Sequence, residues 1–479
     1  VIRAFRANAR DHRASILVAA LSSAFGATLL ACVNVLSAYI AGSPFGGGAS
    51  AQIALAIVAA IFFAIAVYVG AIVTTNTFAT IIAGRTRTIA LLRLIGSSAG
   101  AQRRSVASEG LSVGTIGALT GGVAATALAL LGVRLCTLTG VLPEGSYPVL
   151  TPSLLAPVAV VALTTWLASW IGSRRVLTVS PVQALGAAQE RPPAAVRNRG
   201  RLAVALLLIV AGALLLAVGL LLGLGVFAGS GWGVLAELGA YGVLVALPGG
   251  LLSFTGVILA APFFLPAVLR GVGMLLGRGA AERLAAANAV RNPERSSRTA
   301  IGLVIGITLV TMFVVAAESW LQMIRDAAAK NPGLYDGVES VLTVTMLVFS
   351  ALIGFSAIIA AVGVVNSLSL SVLHRQRELG LLRALGLSAR QVRRMILAES
   401  VQLSVAAVLT GLLLGTLYGW IGAQSLLGTI PGGGLFLPSL PWLFLSLMAF
   451  ATALLAVGAS VAPTRRATRI APVAALATE

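Results

Sequence analysis

The chain has 479 residues, of which 58% are hydrophobic and only 10% charged, with 53 glycines and a mean hydropathy of +1.00. That composition excludes a water-soluble domain of this length and points to a polytopic helical membrane protein. The formal net charge of +19 would suggest nucleic acid as the partner of a soluble chain, but its placement points elsewhere. With the N-terminus cytoplasmic, every arginine except Arg134 and Arg325 falls at a cytoplasmic end or loop, and the single lysine, Lys330, falls outside. This obeys the positive-inside rule. The basic residues therefore set topology and hold anionic membrane lipids, and no nucleic acid is expected.

Apolar runs long enough to cross a bilayer, roughly 20 residues each, recur about ten times. They are too long and too continuous for the alternating strands of a barrel. Residues 1–13 carry Arg3, Arg6, Arg10 and Arg13 on a cytoplasmic amphipathic segment expected to lie on the inner membrane face. A first four-span unit occupies 14–185, with spans at 14–41, 52–80, 106–134 and 152–173 and a charged segment between the second and third. The long first run without a clear cleavage site reads as a retained anchor.

A Pro- and Arg-rich cytoplasmic linker, 186–201, leads to a two-span insert, 202–279, which has no counterpart in the rest of the chain. Its second span contains Pro248, Pro262 and Pro266. Because Pro costs about 3 kcal/mol in a helix interior, a kinked or broken single crossing is expected. A second amphipathic segment, 280–298, precedes a second four-span unit, 299–479, with spans at 299–320, 341–373, 396–420 and 439–462.

The two four-span units are copies of one another. Shifting by 290 places Asn76 on Asn366, Arg85 on Arg375, Gly96 on Gly386, Arg103 and Arg104 on Arg393 and Arg394, and Glu109 on Glu399, without a gap. A shift of 291 superposes the closing segments, with Arg174 and Arg175 on Arg465 and Arg466 and Pro181 on Pro472. An even number of spans separates the copies, so both enter the membrane in the same direction. The expected fold is all-α and polytopic, with about ten transmembrane helices as two parallel four-helix repeats joined by a two-helix insert, and both termini cytoplasmic.

The charged segment between the second and third spans of each copy, 85–104 and 375–394, is the strongest candidate site. Leu379, Leu382 and Leu385 make an apolar stripe, and Arg375, Arg377, Glu378, Arg383 and Arg390 carry charge. Gly386 is suited to ending one helical piece and Ser388 to capping the next. Such a helix either docks a cytoplasmic partner or is a connector bound to lipid headgroups. Its duplication favours a partner with two equivalent subunits.

The string Arg377-Glu378-Leu379-Gly380-Leu381-Leu382-Arg383-Ala384-Leu385-Gly386, followed by Gln391-Val392-Arg393-Arg394 and Glu399, and the closing Arg465-Arg466 with Pro472 to Leu476 resemble the FtsX-like (MacB-type) permease family in a two-repeat, ten-span form. The resemblance covers both four-span units. It implies the permease subunit of an ABC transporter in the bacterial plasma membrane, exporting an amphipathic or hydrophobic compound such as an antimicrobial peptide, drug or lipid. It also implies that Arg85, Arg87, Leu91, Leu92, Arg93, Gly96, Arg375, Arg377, Glu378, Leu379, Gly380, Leu382, Arg383, Gly386, Gln391 and Arg394 couple to separate nucleotide-binding ATPase subunits, a dimer for each chain. The first copy departs from the pattern at Thr88 and Ala90, which stand where Glu378 and Gly380 do.

The sequence contains no GxxxxGK[ST] phosphate loop, so ATP and Mg are expected on the partner ATPase and no catalytic residue or cofactor on this chain. The alternative is an ATP-driven mechanotransmitter that carries no substrate; a secondary transporter would need ionisable pairs in the middle of the spans. Glu109 with Arg104, and Glu399 with Arg394, are expected structural ion pairs. Glu318, near the outer end of the seventh span, has no such sequence neighbour and is a candidate contact for a cationic substrate. Asn34, Trp166 and Trp170 read as packing or interface residues. The stripes Gly110, Gly114, Gly117, Gly121 and Gly411, Gly415, Gly419 mark close helix packing, with the seam between the copies as one candidate place for it. Cys32, Cys136, His12 and His374 have no metal-ligand spacing.

Overall fold

The computed structural model describes residues 13–41, 86–174, 199–226, 242–276, 279–291, 293–330, 381–427 and 435–469, with parts of 60–75 and 343–362. Among the described residues the chain is helical. In chain order the helices are α1 (Arg13–Ala41), α2 (Thr86–Leu94), α3 (Ala99–Leu138), α4 (Leu155–Gly172), α5 (Arg199–Gly223), α6 (Gly242–Leu276), α7 (Ala280–Arg291), α8 (Pro293–Lys330), α9 (Ala389–Leu427) and α10 (Trp442–Arg469). Seven of them are long and apolar enough to cross a membrane. Shorter apolar helices, Phe63–Ile72, Thr345–Ile358 and Trp442–Gly458, fall where the second, eighth and tenth spans are expected. The amphipathic segment 1–13 lies outside the described residues apart from Arg13, and so does most of the linker.

The chain forms two units, Val1–Glu190 with Tyr335–Ile359, and Arg191–Leu334 with Ala360–Glu479. The division cuts across the repeats, because part of the eighth span belongs to the first unit, where Phe355 packs on Ala24, Ala27 and Ala125. The insert belongs to the second unit.

In the first unit α1 lies against α3. A methyl group added at Gly117 would sit 2.7 Å from the Ala19 Cβ, and one at Gly121 would collide with the Ala20 backbone. Ser23 Oγ donates to the Ala118 carbonyl at 2.8 Å across the same seam. Gly110 and Gly114 face Ser169 and Thr165 of α4. In the second unit α8 takes the place of α1, with Gly411, Gly415 and Gly419 of α9 against Ile307, Thr311 and Met312. Both glycine stripes therefore serve packing inside their own unit. Small residues matter here because lipid supplies no hydrophobic drive for helix association, so close backbone approach has to.

Of the kink or break expected in the sixth span, the break is not seen: α6 is one continuous helix that includes Pro248, Pro262 and Pro266. Groups from neighbouring helices supply donors close to the prolines. Arg201 Nε donates to the Leu259 carbonyl at 3.1 Å and Ser297 Oγ to the Ala261 carbonyl at 3.3 Å, fastening this stretch to α5 and α8. The insert packs on itself through Gly212 against Gly249 and Gly219 against Gly242. It packs on α9 through the hydroxyl pair Ser253 and Tyr418 at 2.9 Å, Gly223 against Ser425, and Gln402 Nε2 donating to the Leu269 carbonyl.

Candidate functional site

The charged segments fold as helix, tight turn, helix, and the second helix is not separate from the span. α3 and α9 begin at Ala99 and Ala389 and run through the membrane. With 40 residues, α3 is about 60 Å long, twice the hydrocarbon thickness. The charged segment is thus rooted directly on a spanning helix.

The turn has the same hydrogen bonds in both copies. Ser97 N–H reaches the Leu92 carbonyl at 2.9 Å and Gly96 N–H the Arg93 carbonyl at 3.2 Å; Leu387 N–H reaches Leu382 at 3.1 Å and Gly386 N–H reaches Arg383 at 3.1 Å. This is the Schellman pattern, which demands a left-handed residue after the helix. Gly96 has φ 99° and Gly386 φ 102°, a conformation in which a Cβ would be strained.

The next helix then opens on a serine in each copy. Ser98 Oγ accepts from Ala101 N–H at 3.1 Å, and Ser388 Oγ from Gln391 N–H at 3.2 Å. In the second copy Gln391 Oε1 also accepts from Ser388 N–H at 2.9 Å, completing a capping box. The first copy has Ala101 at that position, and Gln102 donates instead to Ser97 Oγ at 2.8 Å.

Exposure separates the candidate residues into two groups. Leu91 and Ile95 are 48% and 82% exposed, and their counterparts Leu381 and Leu385 are 50% and 72% exposed. These pairs, four residues apart on one helix face, are the apolar tips of the turns. Leu385 belongs to the apolar stripe read from the sequence, whereas its counterpart Ile95 was not singled out, although each directly precedes the helix-ending glycine. Leu382, by contrast, packs with Leu387 on buried Val392, Met395 and Ile396 and holds the turn together. Ile89 and Ala90 are buried and anchor α2. Arg85, Arg375, Arg377, Glu378, Leu379 and Gly380 lie outside the described residues, as do His12 and His374. For Arg87 the structure describes only the helical backbone.

In the first copy Arg103 fastens the turn to the fourth span. Its guanidinium lies 4.0 Å from the centroid of the Trp170 ring, its Nε donates to Ser173 Oγ at 3.3 Å and its Nη2 to the Trp170 carbonyl at 3.4 Å. Trp170 is therefore more than an interface anchor, a role visible only once α3 and α4 are placed side by side. Arg104 is exposed. Glu399 is buried and Glu109 half-buried, and both carboxylates are engaged, as are Arg93, Arg383 and Arg394. Glu318 is half-buried with no hydrogen-bond or ion-pair partner among the described residues. Asn34 Nδ2 donates to Thr151 Oγ1 at 3.1 Å, tying the first span to the outer loop. Cys32 and Cys136 are free thiols.

A chain whose described residues are helical, with seven helices able to cross a membrane and a duplicated turn at the root of two of them, is a polytopic membrane protein. The sequence profile of the FtsX-like permease C-terminal region matches residues 60–181 and 350–472, together just over half of the chain. Each match begins in a second span, includes the turn and ends beyond the fourth span. The chain belongs to the FtsX-like permease family and is a multi-pass protein of the bacterial plasma membrane.

Among curated relatives, it is 32% identical over 137 residues to the pyoverdine export ATP-binding/permease protein PvdT of Pseudomonas entomophila, covering 28% of this chain and 19% of that one. It is 34% identical over 153 residues to the macrolide export ATP-binding/permease protein MacB 2 of Aeromonas hydrophila, covering 31% and 22%. The chain spans about a fifth of the length of these relatives.

Proposed function

We propose that this chain couples ATP hydrolysis by separate nucleotide-binding subunits, which hold the ATP and Mg, to export of an amphipathic or hydrophobic compound. The observation that carries the reading is the pair of congruent turns, each presenting two exposed apolar side chains on a rigid Schellman and N-cap frame at the root of a spanning helix. An exposed leucine–isoleucine or leucine–leucine pair is unfavourable in water and suited to a hydrophobic groove on a partner. Because α3 and α9 are continuous from turn to membrane, a push on a turn moves a span without an intervening hinge. Two turns on one chain match a dimeric ATPase, and the export-protein names of the two relatives favour outward transport.

The test is ATP hydrolysis by the co-expressed ATPase, reconstituted in lipid discs with wild type, Ile95→Asp or Leu385→Asp. Burial of these side chains in a partner contributes about 1.5–3 kcal/mol each, so either substitution should weaken co-purification at least tenfold and return hydrolysis to the rate of ATPase alone. Leu382→Asp is a poorer probe, since it also opens the cluster under the turn. Wild-type behaviour of both tip variants would leave the segment as a headgroup-bound connector. Coupled hydrolysis without any measurable flux would favour the mechanotransmitter.

A further inference from the structure

The loops joining the third and fourth spans differ between the two units. In the first, Leu142 and Val149 are buried in a cluster with Ala31, Val35 and Leu36 of α1, while Leu150 is 72% exposed. In the second, Leu435 is 68% and Leu437 85% exposed, and Trp442 and Leu443, which open α10, are 72% and 76% exposed. No charged residue lies between Gly434 and Phe450. Nor is this loop loosely held. Trp420 Nε1 donates to the Phe436 carbonyl at 2.7 Å, Phe436 N–H to Gln424 Oε1 at 3.1 Å, and Ser439 N–H to Ser319 Oγ at 3.3 Å. A pinned apolar ledge thus stands at the outer end of the second unit.

The Ser319 bond sets the depth of that ledge on α8. Glu318 is the adjacent residue, about 1.5 Å away along the axis. It lies within the apolar stretch Thr299–Met323, about 7 Å short of its outer end. Glu109 and Glu399 are engaged, whereas Glu318 has no partner among the described residues. The nearest basic side chain further along α8, Arg325, is exposed and about 10 Å further out along the axis. A carboxylate at this depth calls for a counter-charge, and the described residues supply none. An apolar ledge at the same level offers nothing to satisfy it.

We infer that Glu318 and the ledge of Leu435, Leu437, Trp442 and Leu443 form a binding site for a lipophilic cation taken from the outer leaflet. The carboxylate supplies the counter-charge and the ledge receives the apolar body beside the acyl chains, as an apolar pocket with one oriented charge selects an amphiphile. This deepens the reading of the chain as an exporter by giving its cargo a sign, and it rests on that reading.

The test uses the full chain in lipid discs without any ATPase, so its outcome is independent of coupling. Labelled tetraphenylphosphonium and tetraphenylborate, nearly equal in shape and opposite in charge, are measured separately against empty discs. The cation is expected to bind saturably and the anion not. Glu318→Gln should weaken the cation about tenfold, the scale of one partly desolvated charge pair, and Glu318→Asp should keep most of the affinity. Leu437→Ser combined with Trp442→Ser should weaken it several-fold. Glu144→Gln, which alters an exposed acid of the other outer loop, should leave it unchanged. Saturable binding of both ions, or undiminished cation binding by Glu318→Gln, would overturn the proposal and leave the ledge as a lipid anchor. Should Glu318→Gln fail to give a monodisperse protein, the comparison of the two ions on wild type decides alone.

Discussion

The third spans of the two repeats, α3 and α9, agree on one face and part on another. Toward the first span of its repeat each uses small residues, with Gly121 and Gly411 at the same register. On the lateral face, Gln402, Tyr418, Ile421 and Ser425 of α9 meet α5, α6 or both. Shifting by 290 turns these into Ser112, Leu128, Leu131 and Leu135, and the three leucines are 57%, 55% and 52% exposed. In a bilayer a leucine face is as content against acyl chains as against another helix, while a glutamine or a tyrosine hydroxyl is not. The equivalent face is thus exposed on α3 and is a socket for the insert on α9, and the residues at these four positions differ accordingly.

The shared face should break both halves. Gly411→Leu drives a side chain against Ile307 and the Thr308 backbone, and Gly121→Leu, at the equivalent position, against the Ala20 backbone. Each is expected to cost about 3 kcal/mol or more, by overpacking a contact that cannot yield. Folded yield and thermal midpoint in detergent should fall sharply for both, and tolerance of one would show that the repeats are not equivalent there.

The lateral face sharpens the contrast. Tyr418→Leu installs the residue of the first repeat, loses the Ser253 bond and the edge-to-face contact with Phe254, whose centroid is 6.0 Å away, and should cost about 1–2 kcal/mol. Leu128→Tyr, the reverse exchange, should shift stability by less than about 0.5 kcal/mol. The thermal midpoints of the two variants compare them directly, and equal effects would sink the socket reading.

The smallest difference sits in the turns. Ser98→Ala and Ser388→Ala should each cost about 1 kcal/mol. Hydrogen exchange over 99–105 and 389–395 should show both helix starts fraying, more at 99–105, where no glutamine cap returns a bond to the serine. Equal exchange in the two variants would mean that the capping box adds nothing.

Much of this architecture was legible beforehand because membrane physics leaves few options. Apolar length gave the membrane-crossing helices and the constant offset the repeat. Gly386 and Ser388 could be read as a stop and a start because only a residue tolerating positive φ, followed by a capping hydroxyl, suits that turn. Three things escaped. Exposure of Ile95 and Leu385 was hidden because an isoleucine or leucine before a glycine looks the same whether it packs inward or points out. Whether the prolines would kink or break α6 was open, because the neighbouring helices that pack against a membrane helix and let it run through Pro are not marked in the sequence. The side on which the insert docks was invisible because the code for it lies in Gln402, Tyr418 and Ser425, each unremarkable alone.

The insert also imposes a schedule on synthesis. Ser253 and its partner Tyr418 are 165 residues apart, which at roughly 5–20 residues per second is about 10–30 s of translation. During that interval α5 and α6 sit in the bilayer before α9 exists. The backbone-to-backbone contacts of Gly212 with Gly249 and Gly219 with Gly242 make the hairpin self-sufficient while it waits. The ribosome therefore delivers a finished two-helix template first, and the last repeat assembles onto a surface already in place.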